Sequence, residues 1–211
     1  MYRSLVLLLF TSLLQAQDVS KLELNRVQAE AVTFQGKKAI RLTEAADATQ
    51  GGELSLAVLK GVKFHNGEIS LYMASEPGAK AATDARGFVG ISFRMQGAAK
   101  FETIYIRPTN GRAEDQVRRN HSIQYTSTPD FPWFRLRKEF PEKYESYADM
   151  QPGTWTQLRV TVDGTKARAY VNGAAQPQLI VNDLKLGDSE GGVALWIGPG
   201  TVAHFTWPEI K

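Results

Sequence analysis

Apolar and polar residues alternate along most of this chain. In "GFVGISFRM", Val89, Ile91, Phe93 and Met95 fall on one face, and Gly90, Ser92 and Arg94 on the other. In "FETIYIR", Ile104 and Ile106 oppose Thr103, Tyr105 and Arg107, and in "GELSLAVL", Leu54, Leu56 and Val58 share a face. A period of two is the signature of a β-strand, whose successive side chains point to opposite faces. "AVTFQGKKAIRL" reads as two strands around Gln35-Gly36, and "VKFHNGEISLYMA" sets the turn signal Asn66-Gly67 between two β runs. The clearest hairpin is "WTQLRVTVDGTKARAYVNG". A two-residue turn at Asp163-Gly164 would set Val162 against Thr165, Val160 against Ala167 and Leu158 against Ala169. Arg159, Thr161, Lys166, Arg168 and Tyr170 would then share the opposite face.

"QLIVNDL", "GGVALWIG" and "VAHFTWPEI" supply the remaining β runs. Helix signals are few: "AEDQVRRN" has room for a turn or two, and "PEKYESYADM" for a short helix begun by Pro141. Many short strands separated by Gly and Pro turns predict an all-β fold, an antiparallel two-sheet jelly-roll sandwich. No Gly/Ser-rich or Pro-rich linker divides the chain, so residues 17–211 are expected to form one domain.

The first residues change the picture of where the protein works. Met1-Tyr2-Arg3 precedes an apolar run from Leu5 to Leu14 and then Gln15-Ala16-Gln17. That order is expected of a secretory signal peptide over 1–16, and the run is too short to span a bilayer. The expected location is periplasmic or extracellular, with no transmembrane segment. The chain has no cysteine, which excludes thiolate metal sites and leaves stability to hydrophobic burial. Charge is nearly balanced, with 25 Lys and Arg against 22 Asp and Glu. Nucleic acid is therefore not an expected partner. The positive charge is concentrated between Arg94 and Lys138, where nine basic residues face four acidic ones. Such a local excess attracts anions.

Three phrases carry a resemblance. "QPGTWTQLRVTVDGTKARAYVNG", "FHNGEISLYM" and "GGVALWIGPGTVAHFTWPEI" resemble the recurring phrases of laminin-G-like and concanavalin A-like jelly rolls. The resemblance implies a sandwich fold shared by glycan-binding modules, glycoside hydrolases, polysaccharide lyases and adhesion domains. The Glu-x-Asp-x-x-Glu strand of one hydrolase branch is absent, and Glu102 stands alone in "FETIYI". "RRNHSIQY" has the arginines, histidine and tyrosine of jelly-roll lyases in a different order. Keto-glycoside hydrolase-like modules are a further relative by the same resemblance.

The candidate chemistry gathers between residues 105 and 140. His121, Ile123 and Tyr125 are expected on one strand face, with Ser122, Gln124 and Thr126 on the other. One reading is a polar sheet face that meets a polysaccharide or oligosaccharide, neutral or anionic, through Tyr105, Arg107, Arg118, Arg119, His121, Tyr125, Trp133 and Arg135. Aromatic faces stack on sugar rings while arginines and amides hold hydroxyl or carboxylate groups. An enzyme would use His121 or Tyr125 as base and Arg119, Arg118 or Arg107 to neutralise a uronate carboxylate. The alternative is structural: His121 and Tyr125 border the core, and Phe131, Trp133 and Phe134 pin a long connection. Trp155 and Trp196 are expected in the core. No cofactor is expected. Calcium is considered only at the turn acids Asp47, Asp84, Asp183 and Asp188. His65, His121 and His204 form no ligand pair by spacing. Asn120-His121-Ser122 is a glycosylation sequon relevant to a eukaryotic host. A third class of function is adhesion to a protein partner.

Overall fold

The alternation is realised as two antiparallel sheets packed face to face in the computed structural model, which describes residues 18–46 and 54–211. The leader expected over 1–16 and Asp47 lie outside the described residues. In chain order the strands are β1 (Leu22–Asn25), β2 (Val27–Phe34), β3 (Lys37–Glu44), β4 (Leu56–Leu59), β5 (Gly67–Pro77), β6 (Val89–Met95) and β7 (Phe101–Ile106). Helix α1 (Gln116–Asn120), β8 (Ile123–Thr128), helix α2 (Trp133–Glu139) and β9 (Glu145–Ser146) follow. The chain closes with β10 (Thr156–Asp163), β11 (Lys166–Val171), β12 (Leu179–Val181), β13 (Gly192–Ile197), β14 (Thr201–Phe205) and β15 (Glu209–Ile210).

One sheet runs β1-β4-β13-β6-β7-β8-β9 and the other β12-β11-β10-β5-β14-β3-β2, with β15 added beside β5. Their inner faces form one apolar core. Ile91, Ile104 and Leu195 from the first sheet, and Leu42, Leu71 and Val160 from the second, are among its buried members. Each such side chain contributes about 1.5–3 kcal/mol by leaving water. Among the described residues no helix is long and apolar enough to cross a membrane.

Local chemistry corrects several expectations. The β10–β11 hairpin pairs Asp163 with Lys166 and Val162 with Ala167, so its two loop residues are Gly164-Thr165. Gly164 takes φ 53°, and Thr165 is not among the positive-φ residues. That is the glycine-first form of the two-residue turn. The register moves by two residues, which leaves every side chain on its expected face. The segment after Pro141 forms a turn and the short strand β9, while the helix falls at α2, inside the basic aromatic connection. Pro132 supplies the N-cap of α2, and Arg137 and Lys138 occupy its last turn, where cations complement the helix dipole.

A bulge in β6 changes the face of Met95. The pairing with β13 shifts between Gly192 and Ala194, and Arg94 adopts φ 52°. Met95 therefore leaves the core face and packs in the outer cluster with Leu56, Phe101, Tyr105 and Trp196. An extra residue in one strand reverses the alternation beyond it.

Asp183, one of the turn acids, is held by protein cations. Its Oδ2 accepts from the Tyr144 hydroxyl at 2.6 Å and from the ammonium groups of Lys143 and Lys185 at 2.9 and 3.0 Å. Lys185 also sits about 5 Å from the ring centres of Phe131, Phe140 and Tyr144. Burial pushes the Asp183 carboxyl up, but the three hydrogen bonds outweigh it and hold the pKa at about 2. Because the folded pKa lies below the ordinary 3.8, this contact stabilises fully above that pH and is lost as the pH falls through about 2. Asp183→Asn is expected to cost about 1 kcal/mol at neutral pH and to flatten the stability curve between pH 4 and 2. Urea unfolding across that range measures both. An unchanged acid limb in the variant would assign the dependence elsewhere.

Candidate functional site

The outer face of the seven-stranded sheet carries the site. Cross-strand pairing aligns one row across it: Leu56 of β4, Trp196 of β13, Gly90 of β6, Tyr105 of β7, Gln124 of β8 and Glu145 of β9. Paired residues point to the same side, so this row is a floor. Gly90 matters in it. A Cβ there would lie 2.4 Å from the Ile104 carbonyl oxygen, so no larger residue fits. Across that gap the Trp196 and Tyr105 rings approach to 4.9 Å between centroids, tilted by 47°. The next row is small: Ala194, Ser92, Thr103 and Thr126, with Ser92 and Thr103 joined by a hydroxyl contact of 2.8 Å.

Loops raise walls around this floor and enclose a cavity of about 550 Å³, within the range of small-ligand sites. One rim is the 82–88 loop with Asp84, Arg86 and Phe88. Beside it, with the Arg107 guanidinium 5.7 Å from the Phe88 ring centre, a wall is built by Arg107, Asn110, Arg118 and His121, and α2 adds Trp133 and Arg137. Trp133 is 44% exposed and its ring lies 5.0 Å from the Arg137 guanidinium carbon. A second hollow of about 460 Å³ lies on the same face over β1 and β4 and includes Leu56, Val58 and Met95.

The polar wall is organised by two acceptors. Gln124 Oε1 accepts from the Tyr105 hydroxyl at 2.9 Å and, in a short contact, from Arg107 Nη2. Arg107 also donates to the Tyr105 hydroxyl at 2.8 Å and to the His121 carbonyl at 2.9 Å. Glu145, almost fully buried, takes the Arg137 fork at 2.9 and 2.7 Å. Arg107 reaches Glu145 only to 4.0 Å, and His121 Nε2 lies 3.3 Å from it. Burial lowers the His121 pKa; Glu145 opposes that, while Arg137 and Arg107 add to it. The net direction favours the neutral imidazole.

Five of the expected ligand-binding residues meet here: Tyr105, Arg107, Arg118, His121 and Trp133. Three do not. Tyr125 faces the core, fully buried, and its hydroxyl donates to the buried Glu102 carboxylate in a short contact. The Lys185 and Leu186 backbone N–H groups complete that arrangement at 2.7 Å each, so Tyr125 and Glu102 tie a turn to the sheet. Burial pushes both their pKa values up. Arg119 lies against the Tyr147 ring at 5.5 Å, and Arg135 pairs with Glu139 and the Asp130 carbonyl. Neither lines the cavity. His121 shares the wall without sharing the face of Tyr125, because it is the C-cap of α1, with φ −105° and ψ 38°. The strand alternation begins only after it.

Sequence reasoning missed Trp196, which is a floor residue and not a core one, and also Arg137, Phe88 and Glu145. Trp155, the other tryptophan expected in the core, is half-buried against Phe34 at 5.6 Å between ring centroids. Among the described residues no group of three His, Cys, Asp or Glu side chains is placed to hold a metal. Asp188 instead accepts from His65 at 2.6 Å and lies 3.6 Å from Arg94.

The two antiparallel sheets and their order define a jelly-roll sandwich. The chain is similar to the carbohydrate-binding module CBM66 from Bacillus subtilis, at 10% identity over 89% of this chain and 95% of that one, with a TM-score of 0.54. It is also similar to a protein of unknown function with a galectin-like fold from Bacillus subtilis, at 10% identity, 92% and 90% coverage and a TM-score of 0.56. A candidate glycosyl hydrolase from Parabacteroides distasonis matches at 11% identity, 94% and 96% coverage and a TM-score of 0.55. These likenesses establish the fold and give the laminin-G branch no separate support. No family model matches the chain, and no curated protein matches it significantly.

Proposed function

We propose that this protein is an exported carbohydrate-recognition protein that binds an oligosaccharide, or a stretch of polysaccharide, in the cavity on the outer face of its seven-stranded sheet. One observation carries the reading: the Trp196–Gly90–Tyr105 floor, walled by Arg107, Arg118, His121 and Trp133 around a cavity of about 550 Å³. Aromatic faces suit the C–H faces of a sugar ring, and guanidinium and amide groups suit its oxygens. The second hollow on the same face gives a longer chain somewhere to run. Similarity in fold to a carbohydrate-binding module supports the reading. The arginine-rich wall makes an acidic glycan the first version to test.

Catalysis is the second reading, favoured by His121, whose pKa direction and position on the cavity wall suit a base. Tyr125 no longer contributes to it, since its hydroxyl is enclosed. One experiment separates the two. Purified protein is run in affinity electrophoresis through neutral and uronate polysaccharides, and each glycan is assayed for unsaturated products and new reducing ends. Retardation without product is the expected result. Product that disappears in His121→Ala would replace binding with catalysis, and absence of both retardation and product would overturn the glycan reading.

A further inference from the structure

The charge on the cavity wall is unbalanced in a specific place. Arg107, Arg118 and Arg137 line that wall, and Glu145 is the carboxylate that reaches Arg137, at 2.7 Å, and Arg107, at 4.0 Å. Arg137 takes both its oxygens in a fork. Arg107 is 5% exposed, yet its hydrogen-bond acceptors are neutral: the Tyr105 hydroxyl, Gln124 Oε1 and the His121 carbonyl. Arg118 stands exposed at the mouth, and its guanidinium has one long contact, 3.5 Å to Asn110 Oδ1. Asp115 is engaged at the helix N-cap, accepting from the Arg118 backbone N–H. On the 82–88 rim Arg86 Nη1 donates to the Thr83 and Ala85 carbonyls, and Asp84 is the one acidic residue among the cavity-lining side chains. Beside His121 the carboxylates are Glu145 and, more weakly, Glu142, and a protonated His121 would add a further positive charge.

A guanidinium withdrawn from water, with neutral hydrogen-bond acceptors and a carboxylate 4.0 Å away that Arg137 already holds in a fork, is under-compensated until a further anion joins it. We propose that the missing anion belongs to the ligand: the bound glycan is acidic, and its carboxylate or sulfate seats between Arg107 and Arg118, beside His121. The sugar rings then lie over Trp196 and Tyr105. This rests on the glycan reading above and adds the ligand's charge and its place. Guanidinium groups suit planar or tetrahedral oxyanions, which accept two N–H bonds at once.

The test uses the full chain and matched pairs of ligands in titration calorimetry. Oligogalacturonate is compared with the same oligomer after carboxyl reduction, and a sulfated galactan oligomer with its desulfated form. Acidic forms are expected to bind at least about tenfold tighter than their neutral partners, with the preference shrinking as salt rises. The larger ratio of the two identifies carboxylate or sulfate as the group read. Arg118→Ala, at an exposed position, is expected to bring the ratio to within about twofold while neutral oligomers still bind. Arg107→Gln is expected to do the same. It is scored on the ratio within one protein, so a loss of stability does not imitate the result. Equal affinity for acidic and neutral partners would overturn the acidic-ligand inference and leave glycan binding standing. Binding of none of the four would overturn both.

Discussion

Arg94→Ala is expected to destabilise the protein by about 3–5 kcal/mol, a fall in melting temperature of roughly 10 °C for a chain of this size. The side chain is completely buried at one end of the sandwich. Its guanidinium donates to the His65 carbonyl at 3.0 and 2.8 Å, the Gly187 carbonyl at 2.7 Å, the Gly164 carbonyl at 2.8 Å and Asn66 Oδ1 at 3.0 Å. Those acceptors belong to three separate loops. Alanine leaves three carbonyl oxygens short of a partner in a place where each loss costs about 1–3 kcal/mol. Lysine keeps the charge but lacks the planar fork, so Arg94→Lys should recover less than half the loss. Urea unfolding with matched thermal melts reads both. A cost below about 1 kcal/mol for Arg94→Ala would mean the loops hold without it.

The second large effect is expected in binding. Trp196→Ala should weaken the glycan that binds best by about thirtyfold or more, the scale of a central aromatic anchor. Trp133→Ala, at the rim, should weaken it by about fivefold. The ordering follows from position: Trp196 is in the floor beside Tyr105, and Trp133 is 44% exposed. Trp196→Ala also removes buried area from the outer cluster, so Trp196→Phe is the companion variant. It keeps an apolar floor and should retain most of the stability while losing part of the affinity. Calorimetric titration of folded variants decides the matter. A folded Trp196→Ala variant with affinity within twofold of the parent would move the site away from this floor.

Much of the candidate site was legible one residue at a time and not as a set. Tyr105 and Arg107 were readable because "FETIYIR" alternates cleanly, with isoleucines marking the core side. Trp196 was not, because "GGVALWIG" is apolar on both faces. Val193, Leu195 and Ile197 enter the core while Ala194 and Trp196 face out, and a run without polar positions conceals which parity is which. Tyr125 was misplaced for a related reason. A tyrosine suits a cavity wall and a core equally; here it pairs with Ile104 on the core face, where the diagonal neighbour Glu102 accepts its hydroxyl. Glu145 carried no local signal at all: a two-residue strand with a carboxylate reads as a surface turn until its pairing beside Gln124 is known.

The period of two by itself determined that this chain forms strands and which side chains of a regular strand share a face. Those are local consequences of an extended backbone, whose successive side chains must point opposite ways. Only the tertiary structure decided that β13 lies between β4 and β6, and that β9 lies at the edge beside β8. Strand order depends on pairing between segments far apart in the sequence, and no local pattern encodes it. That order brings Trp196, Tyr105, Gln124 and Glu145 into one row and turns scattered arginines into one wall.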